Sequence, residues 1–243
     1  MSNPNGFTAR KARFLNRVYA RLATRTRAAT GFVSSPEPRT IGSFAKGRQL
    51  VAGNFLFAGY LIEAPNASIW ALKAPNAAFE GDLHGFAWMD DLAAVGDTFS
   101  RASMQSWLLE WINQFGRGSG AGWTPDLTGR RLIRWINHAQ FVLRGQESDR
   151  SDAFYLSLAQ QATFLSKRWH SASPGLPRFE ALTGLIYAGL SLQGMEGLAK
   201  PAIKALAKEC AVQVDSEGGL PTRNPEELLA VYVLLTWSAI ALE

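Results

Sequence analysis

The hydrophobic positions of this chain change period along its length. Over residues 8–28, Phe14, Val18, Leu22 and Arg25 follow helical spacing, with Leu15 and Tyr19 beside them and arginines around the other faces, which predicts an amphipathic helix. Residues 31–46 are rich in Gly, Ser and Pro and read as a linker. Residues 49–63 are apolar, partly β-branched and aromatic, and broken by Gly53 and Gly59, which predicts a short β-hairpin. From residue 82 the period is helical. Helices are predicted over 82–94, 98–115, 126–144, 150–169, 177–192, 198–214 and 224–241, with Gly- and Pro-bearing breaks between them.

Local signals support two of the starts. Asp126 and Asn224 are expected as N-caps, because their side-chain oxygens can accept from otherwise unpaired helix amides. Pro225 suits a first helical position, and Glu226 and Glu227 suit the positive helix start. No fixed-period repeat links the helices, so unequal antiparallel pairs are expected to curve into an arc. The fold predicted is all-α: an incomplete α/α toroid of helical hairpins with a short β-hairpin near the N-terminus. Residues 1–46 form a basic helix and linker in this reading, and 47–243 the toroid.

The 243 residues are 47% hydrophobic and 19% charged, enough apolar material for a sizeable core. The net charge of +5 is uneven. Arg10, Lys11, Arg13, Arg17, Arg21, Arg25 and Arg27 precede the first acidic residue, Glu37, so the first segment suits an anionic partner: a phosphate, an acidic lipid or an acidic glycan. The single cysteine, Cys210, excludes an internal disulfide and is expected to be an inert thiol. Three separated histidines make no metal site, and no cofactor-binding motif is present. No run is long enough to span a membrane, and the first residues lack the apolar core of a signal peptide. A cytoplasmic location is expected, with a periplasmic or envelope one as the alternative.

The segment 126–144 carries the densest chemistry. Arg130, Arg134 and Asn137 recur at i, i+4 and i+7, opposite an apolar stripe of Leu132, Ile136, Ala139 and Leu143. Such a row could line a groove and hold carboxylates or sulfates; the simpler reading of the residues alone is a solvated basic face beside a core Trp and a hydrogen-bonded core His. Arg131, Trp135 and His138 make a third line. Among the eight tryptophans, Trp107 and Trp111 share one helix face, and Trp123, in a glycine-rich loop, is expected as an exposed stacking platform. His84, with Asp90 and Asp91 following, could act as a base or as a core histidine.

The bend Gly218-Gly-Leu-Pro-Thr-Arg-Asn-Pro225 resembles one in the helical domain of heparinase II/III-like polysaccharide lyases. The pieces before it keep the family's order: Phe55-Leu-Phe-Ala-Gly59, Leu83-His-Gly-Phe-Ala-Trp88, Trp123-x-Pro-Asp-x-Thr-Gly-Arg-Arg131, Leu158-Ala-Gln-Gln-Ala-x-Phe-Leu165, Gly175-Leu-Pro-Arg178 and Tyr187-Ala-Gly-Leu190. The resemblance implies an incomplete α/α toroid, a following β-sandwich, and β-elimination on uronic-acid polysaccharides such as heparan sulfate or alginate. In that chemistry one group neutralises the uronate, a base removes the C5 proton, and an acid protonates the leaving oxygen.

Two departures from the family pattern stand out. Its Tyr-His pair after the bend is replaced here by Glu227 and Leu228, and its Asn-His pair before the Tyr-Ala-Gly-Leu helix by Leu176 and Pro177. The β-sandwich partner is missing from these residues. The resemblance implies an acidic polysaccharide as partner. Neither the neutralising Asn nor the Tyr base of the family carries over; from the residues themselves, Arg130, Arg134, Asn137, Trp123, Arg223 and Asn224 are expected to bind it, and His84, His138 or Tyr232 to transfer protons. The alternatives are a non-catalytic glycan-binding module, an inactive remnant, or membrane-surface contact through residues 8–28. Nucleic acid is not expected as a partner.

Overall fold

The computed structural model describes residues 7–27, 29–34, 38 and 40–243. The chain opens with α1 (Phe7–Ala23) and α2 (Phe44–Val51). An antiparallel hairpin follows, β1 (Asn54–Phe57) with β2 (Tyr60–Glu63), in the register Asn54 to Glu63. Then come α3 (Ala77–Gly85), α4 (Trp88–Val95), α5 (Thr98–Phe115), α6 (Pro125–Asn137), α7 (Ala139–Leu143), α8 (Ser148–Arg168), α9 (Leu176–Ser191), α10 (Ala199–Gln213) and α11 (Pro225–Ala241). This is the incomplete toroid of helical hairpins with a small two-stranded sheet that the sequence predicts.

The directions of the helices follow from their cross-contacts. Trp123 meets Phe164, Arg131 meets Gln161 and Trp135 stacks on Phe154, so α6 and α8 are antiparallel. Phe32 touches Tyr155 near the start of α8 and bridges to Leu192 just past α9, so α8 and α9 are antiparallel too. Gly189 lies against Ala199, and Arg178 pairs with Glu209, which reverses α10. The turn after α10 reverses the chain again. Helices α6, α9 and α11 therefore run parallel, side by side, and each carries a proline in its first turn.

Several expected boundaries move, each for a physical reason. The helix predicted at 82–94 is two helices, because Phe86 takes a left-handed backbone (φ 61°) that ends α3. Burial of its ring, 4.7 Å from Trp88 and within 6.0 Å of Trp111 and Trp135, offsets that strain. The helix predicted at 126–144 breaks at His138 (φ −97°, ψ 12°). Thr124, not Asp126, occupies the N-cap position of α6, and Pro125 opens the helix. The basic helix ends at Ala23, and α2 crosses the expected boundary after residue 46. Part of the linker reading, residues 35–37 and 39, lies outside the described residues.

The expected N-cap at Asn224 is present: its Oδ1 accepts from the Glu226 amide at 3.0 Å. The bend before it is an Asx turn. Asp215 Oδ1 accepts from the amides of Glu217 and Gly219, and Gly218 supplies a φ of 81°.

Candidate functional site

Helix α6 organises the chemistry, and it is buried on nearly every side. Leu132, Ile133, Trp135 and Ile136 are buried, and so are Arg131, Asn137 and His138 at its end. The expected split into an apolar stripe and an opposite solvent-facing basic row does not exist, because α3, α8 and α9 pack around the helix. Each guanidinium finds a partner within the protein. Arg130 Nε donates to Glu180 Oε1 of α9 at 2.6 Å. Arg134 pairs with Asp90 of α4 at 3.5 Å.

Arg131 is wholly buried with no carboxylate in contact. Its Nε donates to Gln161, its Nη1 to the carbonyls of His84 and Gly122, and its Nη2 to Thr128. Its guanidinium lies 4.1 Å over the Trp111 ring. Burial lowers it to about 9, opposed only by Asp126. Beside it, Trp111 Nε1 donates to His84 Nδ1 at 2.9 Å. Burial, then Arg131, pushes His84 down to about 3. His84 is thus a neutral core acceptor, and it has no contact with Asp90.

Asp90 instead meets His138, whose Nε2 lies 2.7 Å from Oδ1. Burial acts to raise Asp90, but His138, Arg134 and Thr40 together hold it below the usual carboxylate range. This dyad lines a groove of about 760 Å³ with Thr40, Asn137, Phe141 and Arg144. Asn137 Oδ1 is buried without a hydrogen-bond partner.

A second groove, about 780 Å³, opens at the other end of α6. Its walls are α1 (Arg13, Asn16, Arg17), α3 (Glu80, Asp82), the loop 120–124 and the first turns of α6 (Asp126, Arg130). At about 1.5 Å per residue, the seven-residue step from Arg130 to Asn137 spans about 10 Å along the axis. The expected row is therefore divided: Arg130 faces one groove, Asn137 the other, and Arg134 lines neither.

The remaining expected residues lie elsewhere or play other parts. Trp123 is not an exposed platform: it is 3% exposed, its Nε1 donates to the Phe115 carbonyl, and its ring packs on Trp111 and Phe164. Buried rings of this kind fill the core, as do Trp107 and Trp111. Arg223, at a left-handed φ of 52°, pairs with Asp215 at 3.1 Å within its own turn, and Asn224 caps α11. Tyr232 is exposed on α11. Neither of these two grooves brings His84, His138 and Tyr232 together.

Glu180 was missed from sequence, whereas Arg13 and Arg17, read there as part of a basic segment suited to anions, are placed in the groove wall by the tertiary structure. Glu180 carried a signal, since it is the sole acidic residue in the largely apolar α9. Its side chain is 9% exposed, and burial raises it to about 7 against the pull of Arg130. Among the described residues no cluster of His, Cys, Asp and Glu could hold a metal. Burial raises the Cys210 thiol.

No family model matches the chain. It is 28% identical over 197 residues to the FtsZ-localized protein C of Caulobacter vibrioides, a match covering 78% of this chain and 33% of that protein. Its fold is similar to the crystal structure of a heparan sulfate lyase HepC mutant from Pedobacter heparinus, with a TM-score of 0.62 and 17% identity over 98% of this chain and 43% of that one. The chain thus has a lyase-like helical fold, and it spans about a third of the length of the curated relative it matches.

Proposed function

We propose that this chain is the helical domain of a heparinase II/III-like protein and binds acidic polysaccharide in the groove between α1, α3 and α6 without cleaving it. One observation carries this reading: Arg13, Arg17 and Arg130, from elements more than a hundred residues apart, line one groove on a lyase-like toroid. Guanidinium groups spaced along a groove suit the repeated carboxylates or sulfates of such a polymer. Binding without cleavage follows from the scatter of the proton-transfer candidates. His84 is a neutral core acceptor, His138 is held by Asp90, and Tyr232 stands apart on α11. The similarity to an FtsZ-localized protein supports a non-enzymatic role.

Salt-gradient retention on immobilised heparin and on polygalacturonate tests the reading. Retention is expected for the natural chain and loss for Arg13→Ser/Arg17→Ser. Release of unsaturated uronides, read as ultraviolet absorbance, would restore the lyase activity; no retention even at low salt would end the glycan reading.

A second reading concerns α1 alone. The helix packs on α8 with Asn16, Ala20 and Ala23 buried, and Arg168 Nε donates to Asn16 Oδ1 at 2.8 Å. Its outward side keeps Phe14 65% and Leu22 49% exposed among exposed Arg17, Arg21 and Arg25, with no acidic residue in the helix. Apolar rings flanked by arginines suit the headgroup zone of an anionic bilayer. On this reading the chain acts at the cytoplasmic face of a membrane, which co-sedimentation with phosphatidylglycerol vesicles tests.

A further inference from the structure

We propose that Arg130 is the anion seat of the groove and that Glu180 takes up one proton when the seat fills. An anionic ligand and the ionised Glu180 then compete for one guanidinium, and affinity depends on which of them holds the charge. This rests on reading the groove as an acidic-ligand site, and it adds the residue that governs occupancy.

The geometry separates the two edges of the guanidinium. Nε is committed to Glu180 Oε1 at 2.6 Å, while the side chain, 31% exposed, lines the groove. Gly85 makes room for it: a Cβ there would sit 3.3 Å from Arg130 Cδ and 3.9 Å from Nη1. Glu180 is the opposite case. Its Oε2 is buried with no hydrogen-bond partner, so ionised Glu180 is satisfied on one oxygen only. Protonation relieves that, and it leaves the positive charge of Arg130 free for a ligand.

The neighbouring charges keep this balance close. Burial raises Glu180 to about 7, Arg130 and Arg134 lower it, and Asp126 raises it. Asp82 of α3 acts on Arg130 from the groove side. Arg178, two residues before Glu180, is committed to Glu209 of α10. Arg168, at the end of α8, is committed to Asn16, with His170 just beyond it. Helix α11 carries its acids, Glu226 and Glu227, in its first turn, away from the stretch where Ser238 meets Thr183 of α9. Arg134, the second cation that acts on Glu180, is paired with Asp90 at 3.5 Å.

Two measurements on the full chain test the inference. The first is the affinity for trigalacturonate between pH 6 and pH 8, where that ligand stays fully ionised. One linked proton with a midpoint near 7 predicts about a tenfold loss across this range. Glu180→Gln should retain the pH 6 affinity at pH 8. A natural chain whose affinity does not change with pH, or a Gln variant that keeps the natural pH dependence, overturns the inference. The second is the carbon-13 carboxyl titration of Glu180 with and without saturating inorganic sulfate. Sulfate should move the midpoint upward, and Arg130→Gln should abolish that movement. If trigalacturonate fails to bind at any pH, the glycan reading falls while the sulfate titration still decides this inference: an unmoved midpoint rejects it.

Discussion

Gly184 of α9 sits directly on Gly129 of α6. A Cβ added at Gly184 would lie 2.5 Å from the Gly129 Cα, and one added at Gly129 would lie 2.2 Å from the Glu180 carbonyl oxygen. Backbone meets backbone here, so no side chain can yield. This contact sets the spacing that lets Arg130 reach Glu180. Gly184→Ala is expected to force the helices apart and cost about 3 kcal/mol or more, above the usual range for overpacking. A chemical denaturation midpoint checks it, and a variant as stable as the natural chain would contradict the contact.

Arg131 is the polar pin of the core. It joins α6, α8, the end of α3 and the loop before α6 through four hydrogen bonds and the faces of Trp111 and Trp123. Lysine has no planar fork to repeat that set. Arg131→Lys is expected to lose roughly 3 kcal/mol, with partners left unsatisfied in the interior. Denaturation followed by the fluorescence of Trp111 and its neighbours would read the loss.

His84 gives the stability a pH dependence on the acid side. The fold opposes its protonation and the unfolded chain does not, so the unfolded state takes the proton first. The stability it contributes is present above about 6.5 and is lost as pH falls towards about 3. The slope can reach about 1.4 kcal/mol per pH unit. His84→Gln, which keeps an acceptor for Trp111, is expected to flatten the stability curve over that window.

Glu180 acts in the opposite direction. Its folded value is raised from 4.5 to about 7, so its contribution is fully present below 4.5 and lost as pH rises through 7. Glu180→Gln is expected to be more stable than the natural chain at pH 8, by on the order of 3 kcal/mol. At pH 4 the two should agree. Thermal melts at both values check the crossover.

The outer side of α1 makes few contacts with the rest of the protein, so its variants should separate binding from folding. Phe14→Ser/Leu22→Ser is expected to change stability by less than about 0.5 kcal/mol, as exposed positions do. The same variant should lose co-sedimentation with phosphatidylglycerol vesicles. Retained sedimentation would remove α1 from the membrane reading.

The elements that the sequence placed well are those written in local signals. Helices α5 and α8 to α11 have a full apolar period and Gly or Pro at their ends, and Asn224 with Pro225 fixes the start of α11 within one turn. The hairpin followed from Gly53 and Gly59 beside β-branched and aromatic residues. The breaks at Phe86 and His138 did not, because both follow from side chains anchored by distant residues. The Phe86 ring enters a cluster of tryptophans, and His138 reaches Asp90, forty-eight positions earlier.

The same division holds for the site. Composition alone determined that the first helix is basic and that arginines crowd α6. Only the tertiary structure decided what each guanidinium meets: Glu180 for Arg130, Asp90 for Arg134, neutral acceptors for Arg131. Helical periodicity gives the angle at which a side chain leaves its own axis. It carries no information about which other helix arrives there, and in a toroid whose inner helices are enclosed on nearly every side, that arrival decides whether a charge is spent internally or offered to a ligand.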